Sequence, residues 1–544
     1  MTVDNQSTTV AGRYLELFTD AGVERAFGIP GVHNLPFWRD RTEAHPPIVG
    51  VRHEQTTVYA ADGLARATGR PAVALTTTGP GAANAAGAFG EAAACGSPVV
   101  LVASEVARKY LAEPGVKGVL HQSRDQAGIF EPLAKAVYRP RTAEDAIAAL
   151  EDALRTCMTS PRGPVYIDVP TDLLSEPAPQ GEHTPAARPA LSADDPAVAE
   201  LARLLDNSEK VVIWAGAGVV QSEAEAELVR LAEQLRAPVV TTYGARGVVT
   251  PGHPSHVSLP PHEREVAAMI SSADLLLAVG TDFDGMMTRN WSMPMPARLA
   301  VINCDEDDLR KNYAPDVAVL ADARAALAAV STRIGRERAS SGAIAADVTD
   351  GWRRLAASDE DRQGLDFVRT LDEIVDEKVA VVCDMAIAGY WFGGYGAVHR
   401  SRQLQYPVGW GTLGYALPAS LGPASVGTPT LGICGDGGVM FGLSELATIA
   451  QETLPVTLLV VDDSAYGMLA YDQVVAGDAR NGVDLQSPDW QSLGHAFGIP
   501  TVVTSDADQL KDALRIGLTS EKPALVVLQA SFPPPRTTSA RWTA

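Results

Sequence analysis

Across 544 residues no apolar run approaches the length that crosses a bilayer, and residues 1–10 are short and polar, without a signal-peptide core. The expectation is a cytoplasmic protein with no membrane partner and with residues 1–8 as a loose tail. Cysteine is scarce too. Cys95, Cys157, Cys304, Cys383 and Cys434 lack metal-ligand spacing and mostly sit in apolar, strand-like surroundings, so they read as reduced core thiols. Positive charge is in deficit: 44 Lys and Arg face 66 Asp and Glu, a net charge of -22 with histidine neutral. That balance argues against nucleic acid and anionic membranes as partners. It does not constrain a small substrate, because a local pocket can oppose the global sign. No short-period repeat is visible.

What is present is an ordinary globular composition, 46% apolar and 20% charged, in a chain long enough for three cores. Short apolar runs alternate with helical periodicity. The fold class expected is α/β, three doubly wound parallel-sheet domains at residues 1–180, 190–337 and 360–544. In the first, an amphipathic helix from residue 10 leads to a short strand and the turn Gly28-Ile29-Pro30-Gly31, and residues 32–36 open another helix. Further strands are expected at 48–52, 72–78, 99–103 and 165–169, with an alanine-rich helix at 55–68. The second domain carries strands near 211–214, 238–241, 275–279 and 299–302. Its Ala215-Gly216-Ala217-Gly218 lacks the spacing of a full dinucleotide fingerprint and reads as a plain strand-to-helix turn. The third carries strands at 379–383, 429–434, 456–461 and 524–529. Residues 175–193 and 339–350 have no periodicity and read as linkers.

One stretch of the third domain has chemistry in its spacing. The run Gly435-Asp436-Gly437-Gly438 closes a buried strand. Leu443, Leu446, Ala447, Ile449, Ala450 and Leu454 then recur at helical spacing before Pro455, and a second buried strand ends on Asp462-Asp463. In a parallel crossover both strand ends open on one edge of the sheet, so Asp436 and Asp463 can converge. Two oxygen ligands beside a glycine turn suit a magnesium ion carrying a diphosphate. Turn chemistry alone favours the same residues, and at this point both readings stand.

The stretch resembles the thiamine-diphosphate motif of acetolactate synthase, benzoylformate decarboxylase and pyruvate oxidase, in which Gly-Asp-Gly is followed about 25 to 30 residues later by Asn-Asn. Glu445-Leu446-Ala447-Thr448 and Leu454-Pro455-Val456 are similar to acetolactate synthase. Asp462-Asp463 departs from Asn-Asn and adds negative charge near the diphosphate. The resemblance implies a pyrimidine-binding, a central and a diphosphate-binding domain, with thiamine diphosphate and Mg2+ as cofactors. It puts the metal on Asp436, Asp463 and the carbonyl of Ala465. Cofactor contacts fall to Gly435, Gly437, Gly438, Tyr466, Gly467 and Met468, and to Ala386 and Ile387 within Asp384-Met385-Ala386-Ile387-Ala388.

By the same resemblance Glu54, with Gly79-Pro80-Gly81 and Asn84 downstream, matches the glutamate beside the aminopyrimidine nitrogen that assists loss of the thiazolium proton. Its bland alternative is a helix-start glutamate. The segment from Gly409 to Pro418 resembles the one that supplies an apolar wedge under the cofactor, Leu413, and a carbonyl, Gly411, for its amino group. Alone, it would read as a helix entrance. Gln122 matches a glutamine that faces the active site in acetolactate synthases and benzaldehyde lyase, and His33 falls where benzaldehyde lyase has a histidine near the reacting carbon. Either is otherwise an ordinary polar loop residue. An arginine and a tryptophan of acetolactate synthase are replaced by Ala470 and Asp472. Some relatives carry FAD on the middle domain; Gly280-Thr281-Asp282-Phe283-Asp284-Gly285 resembles theirs loosely, so FAD is compatible with the resemblance but not predicted.

The favoured function is decarboxylation of a 2-oxo acid with transfer of the activated aldehyde to a carbonyl acceptor, as in acetolactate synthase. The alternative is a simple decarboxylase or aldehyde lyase resembling benzoylformate decarboxylase or benzaldehyde lyase. A third reading is a cofactor-binding regulator without turnover, against which Glu54 and the wedge segment speak. In this family the first and third domains of opposite subunits share each active site, which implies a homodimer at least, with tetramers common.

Overall fold

A computed structural model describes residues 8–111, 117–179, 195–335 and 344–536. Within them three all-parallel sheets form, one per domain. The first contains β1 (Ala26–Gly28), β2 (Ile48–Gly50), β3 (Ala72–Thr76), β4 (Val99–Glu105), β5 (Ala136–Tyr138) and β6 (Val165–Pro170), in the order β2-β1-β3-β4-β6-β5. The second contains β7 (Val211–Ala215), β8 (Val239–Thr241), β9 (Leu275–Val279), β10 (Leu299–Asn303) and β11 (Val317–Leu320), in the order β11-β10-β9-β7-β8. The third contains β12 (Ala380–Cys383), β13 (Leu404–Gln405), β14 (Thr430–Gly435), β15 (Val456–Asp462), β16 (Thr501–Thr504) and β17 (Ala524–Gln529), in the order β13-β12-β14-β15-β17-β16. Counted within its own sheet, the third repeats the strand order of the first. Each sheet reverses direction between its first and third strands, which opens a crevice at the C-terminal edge there.

The central strands follow from their composition. Covered by helices on both faces, a parallel strand must be apolar almost throughout, and VTLLVVD of β15 and VVLVASE of β4 are buried at every position. The strands absent from the sequence reading are β5, β11, β13 and β16. All four lie at sheet edges, are partly exposed and have four residues or fewer, too short a run to stand out from the loops around them.

The linker expected over 339–350 is corrected: from Ile344 the chain is helical, Ile344–Ala357. Tertiary contacts hold that helix, with Trp352 Nε1 donating to Ser258 Oγ at 2.8 Å and Leu355 buried in the core joining the middle and third domains. Its preceding residues 339–343 lie outside the described residues, as do 180–194 of the linker expected over 175–193 and residues 1–7 of the expected tail. Residue 8 is not loose. The carbonyl of Thr8 accepts from Ala178 N at 2.8 Å, and Thr9 bridges Pro177.

Two helices join the first and third domains. Helix Glu54–Thr68 starts at His53, whose Nδ1 accepts from Gln55 N at 3.2 Å, and stops at Gly69 in the left-handed region. It crosses helix Ala416–Ser425 at backbone contact. A Cβ at Gly63 would stand 2.1 Å from the Ala419 carbonyl oxygen, and one at Gly422 2.3 Å from Leu64 N. Beside this crossing, Tyr415 Oη donates to Asp62 Oδ2 at 2.7 Å, and Arg66 pairs with Asp62 and Glu91. In the middle domain, Gly216 and Gly218 meet Gly280 backbone to backbone, as a plain packing turn requires.

Candidate active site

The third-domain half lies at the C-terminal ends of β12, β14 and β15. After β14 the chain turns at Gly435 into a short helix, Asp436–Val439; after β15 it passes Asp463 and Ser464, the latter at φ 54, into helix Gly467–Ala476. A Cβ at Gly467 would stand 2.3 Å from Asp463 Oδ2 and 3.3 Å from Ile387 Cδ1. One at Gly437 would meet the Tyr466 ring at 2.6 Å. Glycine at these positions is what lets the three strand ends close on one another. Ala386 precedes helix Ile387–Tyr395 in an extended conformation and faces Gly435, and half-buried Met468 lies in the first turn after Gly467.

The three aspartates here have separate roles. Asp462 turns away: Trp490 Nε1 donates to its Oδ2 at 2.7 Å, and Ser487 Oγ and Ser464 N donate to its Oδ1 at 2.6 and 3.0 Å. Burial raises its pKa, but these donors outweigh it and hold the carboxyl below the usual range. Asp436 and Asp463 face each other. Burial, then the charges of Asp463 and Asp462, push Asp436 up to about 7, and burial also raises Asp463. Asp436 Oδ1 is buried without a hydrogen-bond partner. Two desolvated carboxyls, one with an orphaned oxygen, repel one another when both are ionised, and either a shared proton or a cation between them relieves that repulsion. The two carboxylates are hard oxygen donors, and Ala465 lies close enough for its backbone N–H to bond Asp463; such oxygen donors fit a divalent ion such as Mg2+. Among the described residues no three His, Cys, Asp or Glu side chains gather around a metal, consistent with Asp462 facing elsewhere.

The wedge segment is anchored by Asp384, which the sequence reading did not single out. Its buried carboxylate accepts from Gly414 N at 3.0 Å, Tyr415 N at 3.3 Å and Met385 N at 3.0 Å. Burial pushes its pKa up to about 6 against the pull of those backbone donors. The loop it holds has φ +74 at Gly411 and +78 at Gly414, where a Cβ would also stand 2.3 Å from Phe441 Cβ. Leu413 between them stays 37% exposed, an apolar knob at the mouth of the crevice.

The first-domain half occupies the equivalent edge of its own sheet, after β1, β2 and β3. Glu54 opens its helix and accepts from Asn84 Nδ2 at 3.0 Å. A Cβ at Gly81 would stand 3.6 Å from Glu54 Oε1. Gly79, at φ +67, lies under the His121 carbonyl, 2.3 Å from where a Cβ would be, and its N–H donates to Gln126. His33 Nδ1 lies 2.8 Å from Thr78 Oγ1, and its ring meets that of His121 edge-on at 5.7 Å. Burial, then His121, lowers the pKa of His33. Gln122 is not brought to this cluster by its carbonyl oxygen, which accepts from Lys117 N at 2.8 Å within its own loop.

Glu445, quoted above only for its likeness to acetolactate synthase, has a structural role that the sequence reading did not assign. From the third domain its buried carboxylate accepts from Arg52 N at 3.0 Å and His53 N at 3.1 Å, fixing the backbone that leads into Glu54. Within the chain Glu54 makes no hydrogen bond to Asp436 or Asp463.

Comparison with known proteins divides the chain in three. The family described as thiamine pyrophosphate enzyme matches in three parts: an N-terminal TPP binding domain over residues 8–129, a central domain over 198–330 and a C-terminal TPP binding domain over 384–528. The chain is 31% identical to a probable 2-ketoarginine decarboxylase of Pseudomonas aeruginosa, over 96% of this chain and 94% of that protein. It is 28% identical to a probable acetolactate synthase large subunit of Methanocaldococcus jannaschii, over 93% and 89%. The fold is similar to that of the thiamine diphosphate-dependent 4-hydroxybenzoylformate decarboxylase of Rhodococcus jostii RHA1, with a TM-score of 0.81 at 24% identity, covering 96% of this chain and 99% of that one. The chain therefore belongs to the thiamine pyrophosphate enzymes, with the family's two cofactor-binding domains at its ends and its central domain between them.

Proposed function

We propose that the protein decarboxylates a 2-oxo acid with thiamine diphosphate and Mg2+ and passes the activated aldehyde to a carbonyl acceptor. The observation that carries this reading is the Asp436–Asp463 pair, with its orphaned buried oxygen, beside the Leu413 knob on one sheet edge. Bound there, the cofactor supplies the carbanion chemistry that stabilises loss of carbon dioxide. Asp436, Asp463 and the Ala465 carbonyl would hold the metal, and the turn Gly435–Gly438 with Ala386, Ile387 and Tyr466 to Met468 would cradle the diphosphate. Leu413 would support the bent cofactor from below and the Gly411 carbonyl would accept from its amino group. Glu54 would hydrogen-bond the pyrimidine ring, with His33 and Gln122 on the substrate side.

As the family resemblance implies, we assign Glu54 and the carboxylate pair of each site to opposite subunits of a homodimer, with a tetramer as its further assembly. Support comes from apolar side chains left uncovered around both halves: Phe441, Leu469, Val474 and Val475 in the third domain, Val32 and Leu35 in the first. Among the described residues no helix is long and apolar enough to cross a membrane, and we assign the enzyme to the cytoplasm.

A second reading, decarboxylation without ligation, is favoured by Ala470 and Asp472, which stand where acetolactate synthase has its arginine and tryptophan. The 31% identity to a probable 2-ketoarginine decarboxylase points the same way. Product analysis with pyruvate and other 2-oxo acids, alone and with an added aldehyde, separates the readings. A new carbon–carbon bond supports the first and free aldehyde the second. Tight cofactor binding without turnover on any oxo acid would overturn both.

A further inference from the structure

The ring of His33 is held from behind. Its backbone carbonyl accepts from Thr171 Oγ1 at 2.8 Å, and the preceding loop is pinned by Asn34, whose Oδ1 accepts from Gly31 N at 2.7 Å and whose Nδ2 donates to Ile29 O at 3.1 Å. His121 covers the ring edge. Nδ1 points inward to Thr78 Oγ1 at 2.8 Å, and Thr78 Oγ1 lies 3.1 Å from Ser104 Oγ. Both hydroxyl residues are fully buried, so neither hydroxyl can turn to water.

Counting protons gives this chain of contacts a direction. Each hydroxyl has one proton to donate. Ser104 Oγ has Thr78 as its polar neighbour among the described residues, so its proton goes to Thr78 Oγ1. Thr78 then donates its own proton to His33 Nδ1. In the reverse order His33 would donate from Nδ1 and Thr78 to Ser104, leaving the Ser104 proton buried without an acceptor, which a folded interior disfavours. A neutral imidazole that accepts at Nδ1 carries its proton on Nε2. That nitrogen lies across the ring from Thr78 and has no protein partner among the described residues.

We propose that the buried Ser104–Thr78 hydroxyl pair holds His33 as the Nε2–H tautomer, so that His33 presents a hydrogen-bond donor, not a base, to the oxygen of the 2-oxo acid that gains negative charge. Thr78 and Ser104 are positioning residues in this arrangement. The lowered pKa of His33 agrees with a neutral ring. The proposal rests on the placement of His33 in the active site given above.

The test uses the full-length chain labelled with 15N-histidine, with and without thiamine diphosphate and Mg2+, the His33 signals being assigned by their loss in His33→Ala. Two-bond proton–nitrogen correlation should show an unprotonated Nδ1 and a protonated Nε2. Thr78→Val should give a mixture of tautomers and lower kcat about tenfold or more, with the KM for cofactor unchanged, and Thr78→Ser should restore both. Ser104→Ala attacks the same chain from its far end and should also give a mixture, which covers a Thr78→Val variant that fails to fold. A protonated Nδ1 in the unaltered protein overturns the proposal, as does a tautomer insensitive to both substitutions. If the tautomer is as stated but His33→Ala turns over at the full rate, the donor role falls together with the placement of His33, while the hydroxyl pair's hold on the ring stands.

Discussion

A glutamate at the first position of a helix is commonly a solvated charge facing the helix dipole. Glu54 is half-buried instead, with Asn84 on one oxygen and the Gly79–Gly81 turn beside the other. Glutamine keeps its size and can still accept from Asn84, so Glu54→Gln should fold and bind thiamine diphosphate. What should fall, by about 10² to 10⁴-fold, is exchange of the thiazolium proton with deuterium, because an amide is a poor replacement for the carboxyl at a ring nitrogen. An unchanged exchange rate in the loaded protein removes Glu54 from the chemistry. At Asp436 the orphaned oxygen argues for loss of binding rather than of rate. Asp436→Ala should abolish Mg2+-dependent cofactor binding in calorimetry, whereas Asp463→Asn, which restores the family's usual amide and removes a like charge from Asp436, should bind at least as well. Full cofactor occupancy in Asp436→Ala would argue against the metal assignment.

At the scale of elements, the helix crossing between the first and third domains is the tightest joint. Gly63→Ala sets two terms against each other. Alanine's helix propensity returns about 1 kcal/mol, while a methyl group 2.1 Å from a main-chain oxygen forces the helices apart at a cost of about 1–3 kcal/mol or more. The net change should be destabilising and visible as a lower denaturation midpoint; a stabilised variant would show that the helices slide apart freely. The same scale explains what was legible beforehand. Central strands such as β9 and β15 carry longer, buried apolar stretches because both faces are covered, whereas the edge strands β5, β11, β13 and β16 are shorter and partly exposed, and helix Ile344–Ala357 depends on contacts with the middle domain that periodicity does not reveal.

For the whole molecule, the proposed sharing of sites between subunits makes a sharp prediction. Glu54→Gln and Asp436→Ala chains should each be inactive alone, but a heterodimer of the two has one site with both defects and one with neither. Coexpression in equal amounts should therefore restore about a quarter of full activity, and no recovery in verified heterodimers would place both halves of a site in one chain. A second prediction concerns pH. Asp436 at about 7 and Asp384 at about 6 bind protons in the folded state that an unfolded carboxyl releases near pH 4. Between about pH 4 and 7 these two carboxyls thus hold more protons in the folded state than in the unfolded one, and their contribution to stability falls as pH rises through that window. His256 and His262, lowered to about 4 by burial, work the other way, so the test is a difference. Metal-free Asp436→Asn should gain Tm relative to the metal-free unaltered protein as pH rises from about 5 to 7.5. A constant difference across the window would contradict it.

The sequence by itself determined the α/β class, the three sheets and the spacing that puts one aspartate after each of two adjacent strands, because strand burial and parallel crossovers are written in local composition. It also carried Glu54, Gly79 and the wedge leucine as motif residues. The motif already named Asp463 as the partner of Asp436; only the tertiary structure decided what Asp462 does, turning it to Trp490 and Ser487, since those partners come from a segment some 25 residues further on. It alone disclosed Asp384 under the wedge loop, Glu445 behind Glu54, and the Ser104–Thr78 pair behind His33. Each of these joins segments far apart in the chain, and a hydrogen bond across such a separation depends on how sheets and helices pack, which no local pattern records.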